Sequence, residues 1–218
     1  MTSIFITGTD TGVGKTYITV LLAKYLMREG HNVGVMKPIS TGSTKDDDAR
    51  HLKKILHLKE PLDLINPIHL KLPLAPYSAS KILKKKIALK KIFAAFKKLQ
   101  KLHDIVIVEG IGGVLVPILK DYFVADLIKD MGISALIVAR PGLGTINHTL
   151  LTIEALKARK IKIAGIVINK YTGKTLSEKT NAEAFFEISE IPNYTCGCSE
   201  GDFSILDKIW AACSLSSG

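Results

Sequence analysis

Five short apolar runs punctuate the chain, at 3–7, 33–36, 104–108, 134–139 and 162–168. Runs such as Ile105-Val-Ile-Val108, Ala135-Leu-Ile-Val-Ala139 and Ile163-Ala-Gly-Ile-Val-Ile168 do not alternate apolar with polar residues. A strand apolar on both faces is buried on both, which is the pattern of a parallel sheet sandwiched between helices. Between the runs, amphipathic stretches lie near 15–29, 46–57, 89–101, 122–131, 145–159 and 178–187. The expected fold is α/β, with a mostly parallel central sheet and helices on both faces. Such sheets bind ligands in the loops at the carboxyl ends of their strands, where the unusual residues of this chain cluster.

The stretch 60–80 breaks the rhythm. Pro61, Pro67, Pro73 and Pro76 fall within sixteen residues and preclude a continuous helix. A binding loop and a rigid surface crossover fit it equally well.

Composition adds limits. A length of 218 residues without a linker suits one domain, 1–218, and 47% apolar content is ample for a core. No run of about 18 apolar residues is present, so no membrane-spanning helix or membrane partner is expected. The N-terminus enters Ile4-Phe-Ile-Thr7 with no basic-then-apolar leader pattern. Cys196, Cys198 and Cys213 form an odd set without a paired framework, which fits reduced thiols in a cytoplasmic protein. The net charge of +10 is concentrated between Lys81 and Lys101, which holds nine lysines. From Leu89 onward the apolar spacing puts most of them on the wet face of a helix. No stacking aromatics or nucleic-acid motif accompany them, so a solvated face is preferred and no nucleic-acid partner is expected.

The strongest chemical signal is Gly8-Thr-Asp-Thr-Gly-Val-Gly-Lys15-Thr16, set between a strand and a helix that begins at Lys15. Glycines let backbone N–H groups close around phosphate oxygens, and the helix N-terminus adds a favourable dipole. In such a P-loop Lys15 neutralises the β- and γ-phosphates and the Thr16 hydroxyl ligates magnesium. A nucleoside triphosphate and Mg2+ are therefore the expected ligands, and the fold is of P-loop NTPase type. Five residues separate Gly8 from Gly14, one more than the common spacing. The loop and helix start Asp10, Thr11, Gly12, Val13, Gly14, Lys15, Thr16 and Tyr17 form the expected nucleotide-binding segment.

Further candidates follow other strands. Glu109 ends Ile105-Val-Ile-Val108 and is either a second magnesium contact or an ordinary strand-end acid. Asp46-Asp-Asp48 suits magnesium ligation or helix capping. Lys37, beside Pro38, places a second cation where a phosphoryl group is transferred. Arg140-Pro-Gly-Leu-Gly-Thr-Ile-Asn147-His148 suits anion capture at a helix start, with His148 more a capping or packing residue than a base. Asn169 either meets a nucleobase edge or simply terminates its strand.

These motifs, in this order, resemble those of the dethiobiotin synthetase family. The resemblance runs from the first strand to about residue 170. It rests on the P-loop, on Lys37-Pro38 with the following Ser-Thr-Gly, and on Asp48-Ala49. Val108-Glu-Gly-Ile-Gly-Gly113, Leu143-Gly-Thr-Ile-Asn-His148 and the strand ending at Asn169 complete it. The resemblance implies an ATP-dependent cyclo-ligase of biotin biosynthesis that acts on 7,8-diaminononanoate and CO2. One amine is carboxylated to a carbamate, ATP phosphorylates it to a carbamic-phosphoric anhydride, and the second amine closes the ring.

By the same resemblance Lys37, Lys15 and Thr11 are catalytic, Thr16, Asp48 and Glu109 hold the metal, and Asn169 joins the nucleotide set. Thr41 and Gly112 face the substrate. Gly144, Thr145, Ile146 and Asn147 catch the substrate carboxylate of the partner subunit, which implies a homodimer with its site at the interface. The family usually carries a Gly-Glu/Asp-Ile-Pro turn near the nucleobase. The corresponding stretch here is assigned to Ser189-Glu-Ile-Pro192, followed by an unfamiliar Asn193-Tyr-Thr-Cys-Gly-Cys198. Reduced adenine selectivity is the expectation that follows.

Rival readings are less well supported. Partition and division-site ATPases share the fold class, but their loop has a lysine at the position of Asp10. The amide-forming ligases of cobalamin synthesis carry a glutaminase domain for which this chain is too short. An unspecialised P-loop NTPase is the remaining alternative.

Overall fold

The computed structural model describes residues 2–43, 47–197 and 204–215. In chain order the elements begin with β1 (Thr2–Gly8), α1 (Lys15–Arg28), β2 (Val33–Met36), β3 (Ile39–Thr41) and α2 (Asp48–Ile55). Then come α3 (Leu62–Ile65), β4 (Ile68–Leu70), α4 (Pro76–Ile82), α5 (Leu89–Leu102) and β5 (Ile105–Gly113). The remainder is β6 (Pro117–Leu119), β7 (Tyr122–Phe123), α6 (Val124–Met131), β8 (Ser134–Ala139) and α7 (Thr145–Lys157), followed by β9 (Ile163–Asn169), α8 (Leu176–Ser189), β10 (Asn193–Cys196) and α9 (Ser204–Leu215).

Six strands form one sheet in the order β10-β9-β8-β1-β5-β2, and every pairing in it is parallel. The unbroken apolar runs are explained by the two cores they feed. Phe5, Val106, Val108, Ile137 and Ile166 point into one, where α5, α6, α7 and α8 contribute Phe96, Ile128, Ile153 and Phe185. Ile4, Ile6, Ile107, Leu136 and Val167 point into the other, covered by Leu22, Leu52 and Ile209 of α1, α2 and α9. Successive strand residues thus serve opposite faces, and helices exclude water from both.

The proline-rich stretch is ordered by its prolines. Pro61 precedes α3 at its N-cap, and Pro76 opens α4 at a position where its missing N–H costs nothing. Between them β4 pairs in parallel with β3, forming a small second sheet that holds Thr41 opposite Leu70. The basic helix matches its expected orientation. In α5 Ile92, Phe96 and Leu99 are buried, while all nine lysines of the segment 81–101 are exposed.

The C-terminal segment corrects one expectation. Ser189–Pro192 precedes β10, and the Ile166 N–H donates to the Pro192 carbonyl at 2.9 Å. Asn193 pairs with Ile166 and Cys196 with Asn169. The turn therefore lies at the amino edge of the sheet, opposite the edge that carries the P-loop. The Ser189–Pro192 stretch on which the expectation of reduced adenine selectivity rested thus lies away from the phosphate-binding edge. Cys198, like Asp46, lies outside the described residues.

Candidate active site

The carboxyl ends of β1, β2 and β5 converge. The P-loop leaves β1, and Gly14 enters α1 with φ of 95°, a left-handed conformation that suits glycine. A Cβ at Gly14 would also lie 2.0 Å from Nδ2 of Asn169. That amide donates to the Val13 carbonyl at 2.9 Å, so Asn169, at the end of β9, clamps the underside of the loop. Its Oδ1 is buried without a hydrogen-bond partner.

Lys37 immediately follows β2, and Glu109 lies within β5. The Lys37 Nζ is 2.6 Å from Glu109 Oε1 and 2.8 Å from Asp48 Oδ2, and it donates to the Gly110 carbonyl at 3.0 Å. Thr16 Oγ1 donates to Glu109 Oε1 at 2.9 Å, with Asp48 Oδ1 at 3.4 Å. Lys37 and Glu109 are almost wholly buried. Burial works against the Lys37 ammonium, but Glu109 and then Asp48 outweigh it and raise its pKa. Burial likewise opposes the Asp48 carboxylate, yet the adjacent Lys37 holds its pKa below the ordinary value. Lys15 differs. Burial, then repulsion from Lys37, lowers its pKa to about 8, and its Nζ donates to the Asp10 carbonyl at 3.0 Å. A triphosphate would relieve both effects by placing anionic oxygens beside the ammonium.

The Asp triplet divides its roles. Asp47 is the N-cap of α2 and accepts from the Ala49 N–H, while Asp48 turns toward Lys37. The capping reading holds for Asp47, and Asp48 is the member of the triplet that joins the Lys37 cluster.

A cleft of about 620 Å³ opens over this cluster. Its walls include Thr11, Thr16, Lys37, Thr41, Glu109 and Gly112 from the expected set, with Lys15, Gly12 and Gly14 at the P-loop end. Pro73, Leu74, Ala75, Pro76, Ile111 and Val116 add an apolar wall that the sequence motifs did not identify. Only the proline cluster hinted at it. Gly112, with φ of 57°, keeps the approach narrow: a Cβ there would lie 2.6 Å from Val116 Cγ2.

Gly144, Thr145, Ile146 and Asn147 do not line this cleft. They start α7, where Gly144 has φ of 82° and Thr145 is fully buried, and the preceding Leu143 is 87% exposed. Arg140 and His148 bracket this start and contact each other at 3.1 Å.

Residues 2–196 match the family model described as an AAA domain. Proteins named ATP-dependent dethiobiotin synthetase BioD are similar over nearly the whole chain. That of Methanocaldococcus jannaschii is 48% identical over 191 residues, covering 86% of this chain and 87% of the relative. That of Thermodesulfovibrio yellowstonii is 45% identical over 203 residues, covering 86% and 85%. That of Endomicrobium trichonymphae is 41% identical over 213 residues, covering 95% and 97%. The chain belongs to the ATP-dependent dethiobiotin synthetase family.

Solved structures extend the fold beyond dethiobiotin synthetases. The cell division ATPase MinD of Pyrococcus furiosus superposes with a TM-score of 0.62 at 15% identity, covering 99% of both chains. A putative plasmid partition protein of Borrelia burgdorferi, bound to AMPPNP, gives 0.59 at 14% identity, covering 97% of both. Identities this low speak for a P-loop NTPase fold alone. Asp10, where switch ATPases carry lysine, fits the assignment to the synthetase family.

Proposed function

We propose that the chain, a member of a family named for ATP-dependent dethiobiotin synthesis, converts 7,8-diaminononanoate, CO2 and ATP to dethiobiotin, ADP and phosphate in biotin biosynthesis. The observation that supports this most is the buried Lys37 ammonium beside Lys15 at the head of a cleft with an apolar wall. That arrangement suits a small, partly aliphatic substrate that becomes anionic where it meets a triphosphate.

The reaction begins when one amine attacks CO2 and loses a proton, giving a carbamate. A carbamate oxygen then attacks the γ-phosphorus and ADP departs, leaving a carbamic-phosphoric anhydride. The second amine attacks the carbonyl carbon, the C–O bond to phosphate breaks, and the five-membered ring closes with loss of the remaining amine proton. Phosphoryl transfer brings an anionic carbamate against an anionic phosphate. Lys37 and Lys15 supply fixed positive charge there, and Thr11 and Thr41 offer hydroxyls to the carbamate or the amine. Lys37 lies against two carboxylates that favour its charged form, and its proposed role is that of a fixed positive charge.

Thr16, Asp48 and Glu109 fit a magnesium ion. Their oxygens are hard donors, and Glu109 Oε2 is buried with no hydrogen-bond partner. When bound, the ion supplies further neutralisation of the triphosphate. Asp10 to Tyr17 and Asn169 are the nucleotide set, and Gly112 faces the substrate.

The working unit in this reading is a homodimer. Gly144 to Asn147 stand outside their own cleft beside the exposed Leu143, as a segment that serves a partner's site would. Incubation with the diamine, bicarbonate, magnesium and ATP should yield ring product and phosphate in equal amounts. Phosphate release at the same rate without the diamine would overturn the reading in favour of an unspecialised NTPase.

A further inference from the structure

We infer that Arg140 is a positioning residue that holds the P-loop in its phosphate-binding shape through Asp10 and ties it to the start of α7. Arg140 directly follows β8, the neighbour of β1 in the sheet, so its side chain can reach the loop that leaves β1. Its Nη2 lies 3.1 Å from Asp10 Oδ2 and 3.1 Å from His148 Nδ1. One guanidinium nitrogen with two hydrogens thus spans the P-loop and α7. A guanidinium only donates, so Nδ1 of His148 is the acceptor and the ring proton sits on Nε2.

Asp10 is the hub on the loop side. Its Oδ1 accepts from the Thr11 N–H at 2.7 Å, and its carbonyl accepts from Lys15 Nζ at 3.0 Å. Fixing the Asp10 side chain therefore fixes the peptide that aims Thr11 and the oxygen that parks the Lys15 ammonium. Arg140 itself does not line the cleft, so it acts through Asp10. The same fork reaches the helix that begins Thr145-Ile146-Asn147. The link to catalysis rests on the proposed dethiobiotin synthetase reaction, but the effect on nucleotide binding does not.

Arg140 and Asp10 are both about half exposed, at 44% and 51%, so the pair is screened and its effect is modest. The test is calorimetric binding of ADP with magnesium to the full chain. Arg140→Gln and Asp10→Asn should each weaken binding about threefold to fivefold, the range a partly exposed ion pair can supply. The double variant should bind no more weakly than either single one, because both changes remove one link. In turnover, KM for ATP should rise by more than kcat falls in Arg140→Gln. A residue that merely stabilised the fold would lower the melting temperature without this non-additivity. Unchanged ADP affinity in Arg140→Gln, or losses that multiply in the double variant, would overturn the inference. A chain that binds ADP as expected but closes no ring would instead refute the proposed reaction and leave Arg140 in place.

Discussion

The Lys37 ammonium lies 2.6 Å from Oε1 of Glu109, two buried charges brought together from adjacent parallel strands. Removing one member of a buried pair leaves the other uncompensated, which costs about 3–5 kcal/mol. Lys37→Ala should therefore lower stability in denaturant by about that amount, and Lys37→Ala/Glu109→Gln should recover much of it. Turnover should stay depressed about 100-fold or more in both, as expected when a stabiliser of transition-state charge is lost. Recovery of turnover together with stability would show that Lys37 serves the fold alone.

Gly14 is pinned twice, by its φ of 95° and by Asn169 Nδ2, which would lie 2.0 Å from an added Cβ. Gly14→Ala should cost about 1–3 kcal/mol of loop strain and weaken ATP binding markedly. Asn169→Ala in the same background should relieve the contact but not the backbone, restoring binding only in part. Full restoration would mean that the conformation at Gly14 carries no strain.

Tyr25 in α1 donates to Asp207 in α9, and that hydrogen bond above all raises its pKa to about 12 from 10.0. A raised pKa means the folded state holds the proton more tightly than the unfolded chain does. The stabilisation is then full below pH 10 and fades as pH rises toward 12. Tyr25→Phe should be less stable by about 1 kcal/mol at neutral pH, with the gap to the unaltered protein closing across that alkaline window. A gap that widened with pH would contradict the assignment.

Cys213 is fully buried in the core between the sheet and α9, and burial pushes its thiol up to about 12. Reaction with iodoacetamide at mildly alkaline pH should spare Cys213 in the folded protein and reach it only after denaturation. Prompt labelling of Cys213 in the native state would show that α9 detaches readily.

The legible parts of the molecule were the local ones. Strands at 33–36 and 134–139 coincide with β2 and β8, because runs apolar on both faces have few other solutions. The P-loop was legible because glycines, lysine and threonine act within nine consecutive residues. β10 was hidden by its sequence, Asn193-Tyr-Thr-Cys196, an edge strand with little apolar content. α9, which buries Leu206, Ile209 and Cys213, lies beyond the expected amphipathic stretches, and its tie to Tyr25 joins positions 182 residues apart. The same limit applied at the site. Lys37 and Glu109 each stood out, yet their contact spans 72 residues and no spacing rule reports it. Asp10 and Arg140, 130 residues apart, belong to separate motifs that no spacing rule joins.

The fate of one oxygen tests the central claim most directly. When the carbamate attacks the γ-phosphorus and the anhydride later breaks at its C–O bond, one oxygen of CO2 leaves with the phosphate. Rapid mixing of the enzyme, ATP, magnesium and the diamine with heavy-oxygen-labelled CO2, followed by mass analysis of the phosphate, reads this out. One labelled oxygen per phosphate released is the expected result. Unlabelled phosphate formed alongside ring product would contradict phosphorylation of a carbamate in this cleft.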